Sequence, residues 1–461
     1  MREGARAILE QIGLTIANRR QSLQPFQLAE YRAAKNWLRR YRQRPEATNI
    51  DKVKGYLEAF FHLCNVTDWE SACQVATTGV EGNEGEELHR LLFVWGYYLE
   101  QKQLYRALLH RVSPEMDLIC LNGLGSLHDV LGDYARAIAC QQQMLALAQS
   151  LGQVAAQGTA LGGLGSAYLS LGEYDRAIAH YQQHLEMARE TGALASVGVA
   201  LGNLGNAYRI VEAYDLAQDC LKERLGVARS LSDLKGEGDG LCNLGSLYSV
   251  LGKRAMAKRV LRRAVEIAKA EGHRLGLVRA LGNLGLVQVE IGAQVQAVEC
   301  FEQALVVARE IGDREGERLA VVQLGALCQK LSEYERAFRY QQAALGFVVD
   351  GVERAALLLN LGTACREMGR WESAVGFYQA LQTTAVLMEE DVPEKRLLEM
   401  MAFYCLALVY RELGKVSLAF RCCRAALDLS HESVAPLIDK CLALQSELGL
   451  LLLASEQSRD E

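Results

Sequence analysis

Proline is nearly missing from this chain. Only five of 461 residues are proline, at Pro25, Pro45, Pro114, Pro393 and Pro436, so the long stretch between Pro114 and Pro393 lacks the strongest helix breaker and reads as helical throughout. Long apolar runs are missing too. None approaches the roughly 18 residues that span a bilayer, and the longest, Leu448 to Ala454, reads as a core-facing helix end. The opening MREGARAILEQIGLTIANRRQ interrupts its apolar residues with charge, which is unlike a secretory leader. Thirteen cysteines are present, but no CxxC pair and no Cys/His cluster at zinc spacing. A disulfide framework is therefore not expected, and free cysteines that pack as small hydrophobes in a reducing cytoplasm are. No GxSxG elbow, GxxxxGK[ST] loop or HExxH helix occurs, so neither catalysis nor a cofactor is expected.

What is abundant is periodicity. LNGLG at 121, LGGLG at 161, LGNLG at 201, LCNLG at 241, LGNLG at 281 and VVQLG at 321 follow one another at 40 residues; LLNLG at 358 comes slightly early, and FYCLA at 403 replaces the glycine by Ala407. A repeat in this range is the mark of a solenoid. In each copy a small residue such as Gly125, Gly165 or Gly205 is followed three positions on by a bulky one such as Tyr168, Tyr208 or Tyr248, on the same helix face. A second glycine recurs seven residues after the first (Gly132, Gly172, Gly252, Gly292, Gly369, Gly414) and suits the left-handed end of a helix. Five residues later stands alanine in all eight copies: Ala137, Ala177, Ala217, Ala257, Ala297, Ala337, Ala374 and Ala419. Small residues there let two antiparallel helices approach closely. The unit is a helical hairpin that buries its apolar faces only by stacking on its neighbours.

The pattern LGxLGxxYxxLGxYxxAxxxYxxxLxxA is similar to the tetratricopeptide repeat, over about residues 115–431. Longer than the 34-residue form and without its closing proline, it resembles the 40-residue repeats of Pins-type spindle adaptors and kinesin light chains. The resemblance implies an all-α, right-handed superhelical solenoid of antiparallel helix pairs, whose first helices line a concave peptide-binding groove. Around the repeats the expected organisation is a basic helical segment at 1–49, two degenerate repeats at 50–114, about eight repeats at 115–431, and a capping helix with its tail at 432–461. The phrase KVKGYLEAFFHLCNVTDWESA looks like a segment preceding such repeats in bacterial signalling proteins that carry a nucleotide-binding switch domain, although no nucleotide motif accompanies it.

Helical phase puts one residue per repeat, two before the Leu-Gly glycine, on the face opposite the core: Gly123, Gly163, Asn203, Asn243, Asn283, Gln323 and Asn360. A carboxamide both donates and accepts, so a ladder of amides can pair with an extended peptide backbone irrespective of its sequence. In kinesin light chains and Pins-type adaptors asparagines at this place hold the peptide, and the resemblance carries that role to Asn203, Asn243, Asn283 and Asn360, with Gln323 one methylene longer. The alternative is that each amide bonds a neighbouring repeat and fixes stacking. Asn206, Arg209, Arg279 and Arg366 share the same face, among few and mixed charges, and Gly162, Gly202 and Gly282 would keep the groove wall low.

Three weaker signals stand outside this scheme. His180 and His184 have zinc spacing without a third ligand, and read as two solvent-facing histidines; Cys140, Cys220 and Cys300 share one repeat register, as small packing residues do. The first 45 residues hold ten Arg/Lys against three Glu in a chain of net charge −6. That segment, crowded with Arg39, Arg40, Arg42 and Arg44, is either a solvated helix face or an arm for DNA, an anionic membrane or an acidic partner. IGLTIANRRQSLQPFQLAEY resembles the opening of a helix-turn-helix domain but is too short for a reading helix, which disfavours nucleic acid. The expected function is a non-enzymatic scaffold or adaptor that binds a peptide or helix of a partner protein. The alternative is a regulatory sensor whose repeats bind a peptide and whose basic amino terminus touches DNA or membrane. Homo-oligomerisation through the carboxy-terminal helix is a further alternative.

Overall fold

The computed structural model describes residues 3–19, 21–41, 47–80, 85–348, 350–389, 392, 394–429 and 435–460. Arg42, Arg44, Pro45 and Pro393 lie outside the described residues, as do the side chains at 452–454 of the last apolar run. The described residues form helices and one isolated bridge, Gly79 to Glu87, with no strand among them. Six helices come first: α1 (Glu3–Arg19), α2 (Pro25–Arg40), α3 (Asn49–Asn65), α4 (Trp69–Ala76), α5 (Leu88–Val94) and α6 (Tyr98–Leu108). The repeats follow as α7 (Pro114–Val130) and α8 (Tyr134–Ser150), α9 (Val154–Ser170) and α10 (Tyr174–Glu190), α11 (Leu194–Ile210) and α12 (Tyr214–Ser230), α13 (Leu234–Val250) and α14 (Arg254–Ala270), α15 (Arg274–Glu290) and α16 (Gln294–Ile311). Then come α17 (Arg314–Lys330) and α18 (Tyr334–Leu345), α19 (Gly351–Glu367) and α20 (Trp371–Val386), α21 (Lys395–Glu412) and α22 (Val416–Asp428), and finally α23 (Ala435–Asp460). The all-α solenoid of consecutive helix pairs expected from the repeat is the observed architecture.

Two compact units divide the chain: residues 1–293 with 306–316, and residues 294–305 with 317–461. In the first, α1–α6 share one apolar core around Tyr56, Phe60, Trp95, Leu104 and Tyr105, which extends to Cys120 and Leu124 of α7. In the second, α19–α22 bury Tyr378, Leu381, Cys405 and Leu406, and Leu444 and Leu448 of α23 pack on Ala407, Ala419 and Cys423.

The hairpin geometry follows from a few positions. The repeated alanines are fully buried from Ala137 to Ala419. Opposite them, the second glycine of each Leu-Gly step is a notch. A methyl on Gly205 would lie 2.7 Å from Leu221, on Gly245 2.5 Å from Leu261, on Gly165 2.4 Å from the Tyr181 ring and on Gly362 2.4 Å from the Tyr378 ring. Each notch receives one large side chain from the second helix of the same hairpin. Leu221 and Leu261 are thereby removed from water, and truncating either to alanine would cost about 2–5 kcal/mol. Where the knob is Gln141 or Gln341, an amide is buried in the notch and is only partly satisfied: Gln341 Nε2 donates to Gln329 Oε1 at 2.6 Å, while its own Oε1 has no partner among the described residues.

The turn glycines Gly132, Gly172, Gly252, Gly292, Gly369 and Gly414 all have φ between 67° and 83°. Two copies lack the glycine, and there Glu212 and Ser332 are held at φ 60°. A side chain in this region is strained, so packing of the flanking helices, rather than local preference, sets those two turns.

Candidate functional site

In the first unit, α9, α11, α13 and α15 present their non-core sides in register. Asn203, Asn243 and Asn283 occupy equivalent places on α11, α13 and α15, each half-buried. Their side chains make no hydrogen bond among the described residues, so the amides are not spent on stacking one hairpin against the next. Asn203 leans over Gly162 of α9, where a methyl would be 3.7 Å from its Nδ2. The second unit repeats the arrangement with Gln323 on α17 and Asn360 on α19, again half-buried and without a side-chain hydrogen bond among the described residues. Half-buried amides with open donors and acceptors are suited to pairing with a main chain laid over them.

The other candidates are engaged. Asn206 Oδ1 accepts from Arg209 Nη2 at 2.8 Å, Arg366 Nη2 donates to Glu367 at 2.6 Å, and Arg279 is ion-paired with Asp239. The expectation of a uniformly low wall also needs revision. The space over Gly202 is filled by Arg224, whose Nη1 would sit 1.8 Å from an added methyl. Only Gly282 of these three has nothing within 4 Å. Arg224 comes from α12, and its guanidinium, largely desolvated, approaches Asp239 to 4.0 Å; with Arg279 it forms a chain of alternating charge across α12, α13 and α15. No signal in the repeat pattern identified Arg224, because it sits on a second helix and enters the face only through the glycine gap. Glu290 accepts from Ser249 at 2.5 Å and lies 3.8 Å from Arg254. Pairing of this kind leaves the amides, not net charge, as the shared chemistry of the face.

The tetratricopeptide repeat family matches residues 117–190, 157–230 and 237–310, and a second model of the tetratricopeptide repeat matches 357–390. These segments of the chain are tetratricopeptide repeats. Among solved structures the chain is similar to BtubC (BKLC) from P. vanneervenii, at 17% identity over 48% of this chain and 94% of that one, with a TM-score of 0.43. It is also similar to a Rap protein complexed with competence and sporulation factor, at 14% identity, 72% and 98% coverage and a TM-score of 0.45. A signal transduction ATPase with a tetratricopeptide repeat sensor from Pyrococcus horikoshii aligns at 16% identity over 93% of this chain and 56% of that one, with a TM-score of 0.43. The comparison with curated proteins returns no match.

The histidine pair is not solvent-facing. His184 is 2% exposed with Nε2 2.7 Å from Ser196 Oγ, and His180 stacks on Tyr168 at 5.4 Å between centroids. Burial pushes both below the usual imidazole range. Among the described residues no group of three or more His, Cys, Asp or Glu is placed to hold a metal ion. None of the thirteen cysteines is in a disulfide, and Cys140, Cys220 and Cys300 are half-buried. Burial pushes Cys242, next to the Arg224 chain, up to about 11. Arg39 and Arg40 close the last turn of α2, where a cation meets the negative end of the helix. No described helix is long and apolar enough to cross a membrane.

Proposed function

We propose that this protein is a non-enzymatic adaptor that grips an extended peptide of a partner protein along the first helices of its repeats. Tetratricopeptide repeats are in general protein interaction modules, which supports the class. The observation that carries the finer reading is the row of half-buried amides, Asn203, Asn243 and Asn283 in one unit and Gln323 and Asn360 in the other, whose hydrogen-bonding capacity is unspent among the described residues. An amide row reads main chain and leaves specificity to side-chain pockets between the rungs. Arg279, Arg366, Arg209 and Asn206 then tune the face, each already held by a partner.

Replacing Asn243 and Asn283 by alanine removes two such pairings at about 1 kcal/mol each, so the double variant should bind a partner peptide about 30-fold more weakly. Because neither amide supports the fold through a hydrogen bond, helical content and melting temperature should stay as in the parent protein. A pull-down from the source cell, followed by titration of the recovered peptide, measures both. Undiminished binding by the double variant would discard the amide row as the gripping element.

A further inference from the structure

Within the first unit, the chain meets itself across 216 residues. Trp95, 2% exposed at the end of α5, donates its Nε1–H to the carbonyl of Ile311 at 2.9 Å. A methyl on Gly312 would stand 2.2 Å from Asn49 Nδ2 and 2.4 Å from the Trp95 ring, and one on Gly96 would stand 2.6 Å from Arg314 Cδ. Both glycines have positive φ, 75° and 73°. Two left-handed turns, one closing α5 and one closing α16, are thus seated face to face. The module α3–α6 is thereby closed onto the edge where α13 and α15 begin.

A cavity of about 340 Å³ opens at that seat. Its walls come from both sides: Arg90, Leu91 and Val94 of the amino-terminal module, and Lys235, Leu275 and Ile311 of the repeats. Leu91, Val94, Leu275 and Ile311 are apolar; Arg90, Lys235 and the ion-paired Arg274 and Glu310 are charged. An apolar floor with a polar rim, at the small end of the roughly 300–1,000 Å³ of ligand sites, is the form of an anchor pocket for one large side chain. It is also not isolated. A second cavity of about 190 Å³ lies over Val199, Arg224 and Asp239 and shares Lys235 with the first. A narrow gap at Lys235, Asp239 and His273 lies between the two. The three follow one another in a track along Lys235, over the first turns of α11 and α13, the last turns of α12 and α14, and the start of α15.

We propose that this track is the ligand path of the first unit and that it ends in the pocket at the seat, which takes an aromatic or large aliphatic side chain of the bound peptide. The inference rests on the groove reading above. It assigns to the amino-terminal module a part in binding that the repeat pattern does not contain. An occupant of the pocket touches both sides of the seat, so binding and closure favour one another, as linkage requires.

The test uses the full chain and a random pool of short peptides, with retained peptides identified by mass spectrometry. The parent protein should enrich peptides containing aromatic or large aliphatic residues. Val94→Asp and Leu275→Asp each put a charge into the pocket, from opposite walls, and each should lower retention of those peptides roughly tenfold. Leu275 is exposed and in the first turn of α15, where an acidic side chain is well placed, so the second variant folds even if the first does not. Gly312→Ala should lower retention as well, by forcing the seat apart. Gly292→Ala should not, since Gly292 has the same left-handed φ of 76° but nothing within 4 Å of an added methyl.

Retention unchanged in both aspartate variants, or a retained set without apolar residues, overturns the pocket. Equal behaviour of Gly312→Ala and Gly292→Ala overturns the coupling to closure. A parent protein that retains no peptide at all overturns the groove reading itself.

Discussion

Two glycine-to-alanine substitutions, chemically identical and both inside helices, should change stability in opposite directions. Gly282 in α15 and Gly245 in α13 each relinquish about 1 kcal/mol of helix propensity relative to alanine. A methyl at Gly282 meets nothing within 4 Å, so Gly282→Ala should keep that full gain. At Gly245 the methyl meets Leu261 Cγ at 2.5 Å and Cδ2 at 2.6 Å, and Leu261 is fully buried with no room to retreat. With Leu261 unable to move, overpacking costs about 2–3 kcal/mol, the upper part of its usual range, so after the propensity gain Gly245→Ala should be about 1–2 kcal/mol less stable. Circular dichroism melts of the two variants should move apart on either side of the parent, Gly282→Ala upward by on the order of 2 °C. Because Gly282 adjoins Asn283 on the proposed binding face, the stabilised variant should also bind a partner peptide more weakly. Two melts displaced in the same direction would refute the notch as the reason for the glycine.

The buried imidazoles set a pH dependence in the first unit. His89, His128, His180 and His184 all have their pKa lowered, first of all by burial. The unfolded chain takes up protons near pH 6.5 while the folded chain does not, so stability should fall as the pH drops through about 6.5. Melts between about pH 7.5 and 5.5 check it, and a flat profile would contradict it. Asp313 titrates in the other sense: burial and, more weakly, Glu315 raise its pKa, outweighing the hydrogen bond from Gly316 N–H. A group with a raised folded pKa stabilises below its unfolded value and loses that contribution as pH rises through the folded one. Asp313→Asn keeps an acceptor for Gly316 N–H and removes the desolvated charge, so it should raise the melting temperature at neutral pH and lose its advantage near about pH 4.

The repeat was legible because its constraints are local and recur. Glycine, bulky residue, turn glycine and alanine each answer to one backbone or packing requirement within a hairpin, and eight copies make the coincidence visible. Departures from the pattern were harder to read. Glu212 and Ser332 occupy left-handed turns that no local preference would assign to them. Arg224 fills the gap above Gly202 from the neighbouring helix, so the glycine that promised open wall instead accommodates a guanidinium. His184 sits at helical spacing from His180 on what reads as a polar stretch, yet the next hairpin's Ser196 covers it. The meeting of Trp95 with Ile311 had no signature at all, since contacts between non-neighbouring repeats leave no period in the chain.

An open-ended solenoid can gain or lose a repeat by duplication or deletion with little penalty, because each hairpin touches only the next. The first unit has forfeited that freedom. Excising any one hairpin between α7 and α16 would rotate and shift the Ile311–Gly312 turn away from Trp95, leaving an indole N–H without its acceptor and an apolar cavity wall facing water. The number of hairpins between module and seat is therefore fixed by geometry, as the number of strands is fixed in a closed barrel.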